Sequence, residues 1–208
     1  MRKTILAALL VIGVLAANPS PSRAQATTWQ IDPANSAATF SVRHLMISTV
    51  RGEFGKLTGM VNLNEKDITK SSVEATIDAT TVNTRVPQRD NDLKSANFLD
   101  VANYPTMTFR SKQITPAGEG RWKMTGDLTI YGVTKEVIFD VEGPTPPIQM
   151  GRATLRGASA TTKINRKDFG ITWNRALDTG TAVVSDEVTI SIDLEFHLQP
   201  PAPAGSGN

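Results

Sequence analysis

Residues 188–198 read Val-Thr-Ile-Ser-Ile-Asp-Leu-Glu-Phe-His-Leu, with an apolar side chain at every second position. Side chains alternate between faces along a β-strand, so this pattern predicts a strand with one dry face and one wet face. Shorter alternations recur. Phe40, Val42, His44 and Met46 share one phase; Leu57, Gly59, Val61 and Leu63 another; Val73, Ala75, Ile77 and Ala79 a third. Met107 and Phe109 open a further strand, and Trp122, Met124, Leu128 and Ile130 form a long one with Gly126 in phase. Val137, Phe139 and Val141 make the next, joined to it by a tight turn at Tyr131-Gly132, so residues 121–142 predict a hairpin. Residues 153–164 are strand-like and rich in small residues and threonine. Little helical pattern exists to cover the apolar face. The sheet must close on itself or stack on a second sheet.

One segment departs from this period. Leu93, Ala96 and Leu99 are spaced for a helix, which predicts a short one over residues 90–100, capped by Asp90 or Asn91 and stopped by Tyr104-Pro105. It could cover a barrel mouth or pack outside. Residues 143–151 contain three prolines and read as a loop, since proline cannot donate within a central ladder. Residues 200–208, rich in proline, glycine and serine, read as a disordered tail.

The first 26 residues are set apart from the fold. Arg2 and Lys3 precede an unbroken apolar run over residues 5–17, and Ala24-Gln25-Ala26 offers the small residues of a signal-peptidase site. Thirteen apolar residues fall short of the roughly 20 that span a bilayer. The expectation is a secretory leader over 1–26, a single domain over 27–199, and a soluble periplasmic protein. The leader takes three of the 22 basic residues and none of the 20 acidic ones, leaving a net charge of −1. That balance does not suggest a nucleic-acid partner. With no cysteine, the chain uses neither disulfides nor thiol chemistry.

Chemistry-bearing residues are sparse. His197 is out of phase with Phe196 and Leu198 and is expected on the wet face. His44 shares phase with Phe40 and Val42, so its ring is expected to point inward. It is either a buried histidine satisfied by its surroundings or a polar anchor for a ligand head group. One inward histidine and no cysteine make a metal site unlikely on composition. There is no Gly-x-Ser-x-Gly elbow. Asp90, Asp92, Asp100 and Asp168 could meet in space, but acids near turns and helix starts are usually caps or solvated. Around Asp168-Phe169-Gly170 the expectation is a structural turn, with Asp168 bonding backbone amides and Phe169 and Trp173 packing.

Trp29-Gln30-Ile31-Asp32-Pro33, Phe40-Ser41-Val42-Arg43-His44 and Val50-Arg51-Gly52-Glu53-Phe54 resemble the amino-terminal blocks of the YceI-like family. Phe98-Leu99-Asp100, Tyr104-Pro105 and Phe109-Arg110-Ser111 resemble its central block; Gly126-Asp127-Leu128-Thr129-Ile130 and Arg166 with Asp168-Phe169-Gly170 resemble its later ones. The ordered set covers nearly the whole mature chain. Relatives often carry histidine where this chain has Asn35 and Asp92.

The resemblance implies an all-β fold: an extended, antiparallel, eight-stranded lipocalin-like barrel with a short helix near one mouth. It implies a periplasmic carrier for a polyisoprenoid or similar long-chain amphiphile, including quinone-type lipids, and no catalysis. Phase and resemblance together select Phe40, Val42, Phe54, Leu99, Phe109 and Trp173 for the tunnel wall and His44 for a head-group contact. No cofactor and no membrane span in the mature protein are expected, and a homodimer stays open. Two alternatives remain: an enzyme acting on such a lipid through His44 and an aspartate near the helix, or a barrel with a filled core acting through its surface in envelope stress.

Overall fold

The computed structural model describes residues 26–175 and 183–200. The expected leader, apart from Ala26, and the tail beyond Pro200 lie outside the described residues. The described residues form twelve strands: β1 (Thr27–Ile31), β2 (Ala37–His44), β3 (Ser48–Phe54), β4 (Leu57–Leu63), β5 (Ser72–Asp78), β6 (Val82–Asn83), β7 (Thr106–Gly118), β8 (Arg121–Ile130), β9 (Val133–Glu142), β10 (Ile148–Met150), β11 (Ala153–Asn165) and β12 (Val184–Leu198). One α-helix, α1 (Pro87–Lys94), interrupts them.

These twelve segments make eight walls. β1 and β2 both pair with β12, β4 and β3 pair back onto them, and β5 and β6 follow onto β4 and β3. Each couple is one wall with a break. Thr27 faces Leu63; an unbroken ladder would set Ala38 opposite Gly52, but it faces Phe54, so the register slips across the break. β9 and β10 likewise share one edge of β11, separated by the proline loop. The circuit runs β1/β2, β3/β4, β5/β6, β7, β8, β9/β10, β11 and β12. It closes through eleven residue pairs between β11 and β12. The expected eight-stranded antiparallel barrel is therefore what forms. Closure leaves no long edge for another chain to pair with.

The dry phase points inward, as the alternation requires. At the end of the barrel holding the chain's first strand, Trp29, Ile31, Leu57, Val61, Leu63 and Phe196 form one buried cluster. Near the helix end, Met107, Leu128, Ile130, Ile164, Phe169 and Ile171 form a second.

Four local expectations need correction. Met46 is not on the inward face: β2 ends at His44, and Met46 lies 55% exposed in the following turn. The helix starts and ends earlier than its apolar spacing suggested. Pro87 sets the first turn, where its missing N–H removes no bond. Asp90 does not cap it; its carboxylate instead accepts the Thr84 backbone N–H at 2.8 Å. Past Lys94 the chain folds into turns, with Leu99 N–H donating to the Leu93 carbonyl. The proline loop ends in β10, an edge strand. At the Phe169 turn, Asn165 rather than Asp168 accepts the Lys167 amide, at 3.0 Å. Gly170 takes φ +83°, which an L side chain resists.

Candidate ligand-binding cavity

The barrel encloses a cavity of about 610 Å³ with an almost wholly apolar lining. On β12 its lining runs from Val184 to Phe196. Twelve residue steps of about 3.3 Å, at a strand tilt of about 40°, give roughly 30 Å along the axis. The space is thus a tunnel, suited to one extended chain rather than a compact ring system. Val188, Ile190, Ile192 and Leu194 point inward yet are only half-buried, because they face this empty space.

Two glycines set the bore. Gly52 lies opposite Phe40, and a Cβ built there would sit 2.4 Å from the Phe40 ring. A Cβ on Gly126 would sit 2.5 Å from the ring of Phe109. Each aromatic therefore lies flat across a glycine instead of projecting into the lumen. Phe54 packs against Phe40 at 5.6 Å and Phe139 against Phe109 at 5.1 Å between ring centroids.

All seven residues selected from the sequence, Phe40, Val42, His44, Phe54, Leu99, Phe109 and Trp173, line this one cavity. Trp173 stands at its rim, 37% exposed, 5.0 Å from the Phe98 ring. Leu93, Phe98 and Leu99, from α1 and the turns after it, cover the same end. His44 closes β2 there, opposite Ser48 and Val184. His197 lies outside the lining, as its phase requires. Asn35 and Asp92 do not share a site. Asp92 reaches the cavity, whereas Asn35 donates to the Asp32 carboxylate at 2.9 Å in the β1–β2 break.

The sequence reading gave Arg166 no role in the site. It lines the cavity with a side chain only 4% exposed. Its guanidinium donates to the carbonyls of Ile171 at 2.8 Å, Trp173 at 2.7 Å and Ser185 at 3.1 Å, and pairs with Asp186 at 3.1 Å. These bonds tie the end of β11, the rim segment and the start of β12 together. Burial pulls the Arg166 guanidinium below the usual arginine value, and the Asp186 charge opposes that pull. A hydrogen bond from Lys167, together with the Arg166 charge, holds Asp186 below the usual carboxylate value. Arg166 shares phase with Ile164, the same signal that picked out His44. Arg89 also reaches the cavity, anchored by bonds from its Nε to Thr84 Oγ1 at 2.7 Å and from Nη2 to the Thr84 carbonyl at 2.9 Å.

The far end is packed with large side chains. Trp29 meets Phe196 edge-on at 5.6 Å, with Arg156 stacked 5.4 Å over the Trp29 ring and paired to Glu65 at 2.7 Å. The Trp122 indole donates to the Gly143 carbonyl at 2.8 Å. Among the described residues no three metal-binding side chains converge. No helix among them is long and apolar enough to cross a membrane.

A closed antiparallel barrel around an apolar tunnel, with a short helix over one mouth, is a lipocalin-type architecture. Solved structures share it. BcnA of Burkholderia cenocepacia is 26% identical, with a TM-score of 0.68 over 79% of this chain and 98% of that one. The YCEI protein of Campylobacter jejuni is 30% identical, with a TM-score of 0.64 over 76% and 90%. A polyisoprenoid binding domain from Saccharophagus degradans, 13% identical, has the same fold with a TM-score of 0.59 over 83% and 99%. A UPF0312 protein of Staphylococcus aureus (strain N315) is 34% identical over 173 residues, 83% of this chain and 98% of that one. The YceI-like domain model matches residues 29–196. The chain belongs to the YceI-like family.

Proposed function

We propose that this protein carries or sequesters one long-chain lipid of the isoprenoid type, with the chain in the tunnel and the polar head at the helix end. The observation that carries this reading is the almost wholly apolar cavity of about 610 Å³ inside the barrel. Moving a hydrocarbon chain out of water is favourable by about 0.8 kcal/mol per CH₂-sized group. A few isoprene units would outweigh an association cost of about 4–15 kcal/mol. The ligand class named for the Saccharophagus domain supports the same reading. The filled-core alternative has no support from a barrel that is hollow. Phe40, Val42, Phe54, Leu99, Phe109 and Trp173 would grip the chain, and His44 would meet the head group. Turnover is not needed for any of this. The apolar start of the sequence supports a periplasmic site of action.

Native mass spectrometry of the purified mature protein tests the reading. A co-purified long-chain lipid, or stoichiometric uptake of an isoprenoid quinone, is the expected result. Recovery of empty protein that takes up neither isoprenoid nor quinone lipids overturns it. The same spectra show whether the protein is a homodimer.

A further inference from the structure

The turn joining β2 to β3 is apolar and exposed at the helix end of the barrel. Ile47 is 78% and Met46 55% exposed. Leu45 and Met46 both take positive φ, +51° and +59°, and Ile47 N–H closes the turn on the His44 carbonyl at 3.1 Å. Such turns favour Asn-Gly, because side chains there meet backbone strain. This one holds leucine and methionine, so neither backbone preference nor burial accounts for its composition. The Arg43 guanidinium braces it, donating to the Met46 carbonyl at 2.8 Å and to Thr49 Oγ1 at 2.9 Å.

Its surroundings match one occupant. Of the ten large apolar side chains exposed among the described residues, five, Met46, Ile47, Val86, Tyr104 and Trp173, belong to turns and loops at this end, while the other five are spread over β4, β9, β10 and β12. Residues 43–51 contain two arginines and no carboxylate. Arg175 sits beside them, because its carbonyl accepts Val183 N–H and the Val183 carbonyl accepts Leu45 N–H. An apolar tip flanked by cations is the pattern of a surface that rests in the headgroup region of an anionic bilayer.

We propose that the Met46–Ile47 tip docks the protein on an anionic phospholipid surface, setting the tunnel mouth against the membrane from which the lipid is drawn. This rests on the carrier reading for its purpose but is measurable without it. Sedimentation of the mature protein with vesicles of phosphatidylcholine and phosphatidylglycerol reads the docking. The wild type is expected to co-sediment, less so at high salt. The double variant Met46→Ser/Ile47→Ser should bind at least about tenfold more weakly. Arg51→Gln/Arg175→Gln should weaken binding only when phosphatidylglycerol is present. Neither pair lines the tunnel, so uptake of a quinone supplied in dilute ethanol should match the wild type, while uptake from vesicles falls.

Vesicle binding that is absent in the wild type, or indifferent to Met46→Ser/Ile47→Ser, overturns the proposal. So does a concentration-dependent dimer that the same variant abolishes without any vesicle binding, since the tip would then seat a second copy. A wild type that binds vesicles through the tip but takes no quinone from ethanol would sink the carrier reading and leave the docking surface standing.

Discussion

Ala160 offers a way to plug the tunnel without touching its ends. It lies mid-way along β11, paired to Ile192 on β12 and Val141 on β9, and all three line the cavity. Ala160→Phe would set a ring across the bore and divide a path of roughly 30 Å into two halves. Excluding only five CH₂-sized groups of a ligand removes about 4 kcal/mol, close to a 10³-fold rise in Kd. The fold should tolerate the change. Filling apolar space stabilises by about 1.5–3 kcal/mol, and local crowding costs about 1–3 kcal/mol. At about 2–4 °C per kcal/mol, Tm should move by only a few degrees. Thr161→Phe, on the outer face beside it, is the control, because Thr161 is exposed and lies outside the lining. Titration with a long-chain quinone, read by native mass spectrometry, should show loss of binding in the first variant alone. Wild-type affinity in a folded Ala160→Phe would refute the tunnel as the binding site.

Arg166→Met should be severe, because it strands the carbonyls of Ile171, Trp173 and Ser185 and leaves Asp186 with Lys167 alone. A loss of about 3–5 kcal/mol is expected, visible as a Tm lower by roughly 10 °C. Gly52→Ala would push Phe40 off the wall into the bore; chain uptake should fall and stability drop by about 1–3 kcal/mol in denaturant melts. Met46→Gly removes a left-handed side chain from the turn and should raise stability by about 1 kcal/mol in the same melts while weakening vesicle binding. Asp32, Asp67, Asp78 and Asp186 are all held below the usual aspartate value of 3.8 when folded. Protons therefore bind the unfolded chain first. The stabilisation is complete above pH 3.8 and is lost as pH falls below it. Urea midpoints followed through that range should decline, less steeply in Asp186→Asn.

The β12 alternation was legible because one barrel face is dry over the whole strand, and the same phase correctly sent His44 inward and His197 outside the lining. Phe40, Val42 and Phe109 reach the cavity in the phase read from their strands, whereas Leu99 and Trp173 reach it from segments outside any strand. The breaks at residues 32–36 and 55–56 do mark the alternation, since the inward positions change parity from Trp29 and Ile31 to Ala38 and Phe40 and from Val50 and Phe54 to Leu57 and Val61, but a change of parity does not say that the two halves share one wall with a slipped register. Helix α1 was misplaced because its apolar residues serve the cavity roof rather than a helix face; Leu99 reaches the roof from a turn. Arg166 shared the inward phase of Ile164, but its bonding role went unread because its carbonyl partners, Ile171, Trp173 and Ser185, lie in segments with no repeating pattern.

The interrupted walls divide the barrel mechanically. Toward the helix end, β2, β3 and β6 form a panel hung from β12, and β6 pairs with β3 through only two residues and with no further strand among those described. On the other flank β9 meets β11 through only three. The remaining ladders, β7 with β8, β8 with β9 and β11 with β12, run long. Amide exchange should therefore release the β2–β3 panel as a unit while the long ladders stay protected. Were the panel to swing on its breaks, the tunnel would open along its flank. A flexible chain could then be laid in sideways instead of threaded end-on, and its rate of loading would be set by the hinge and not by the length of the lipid.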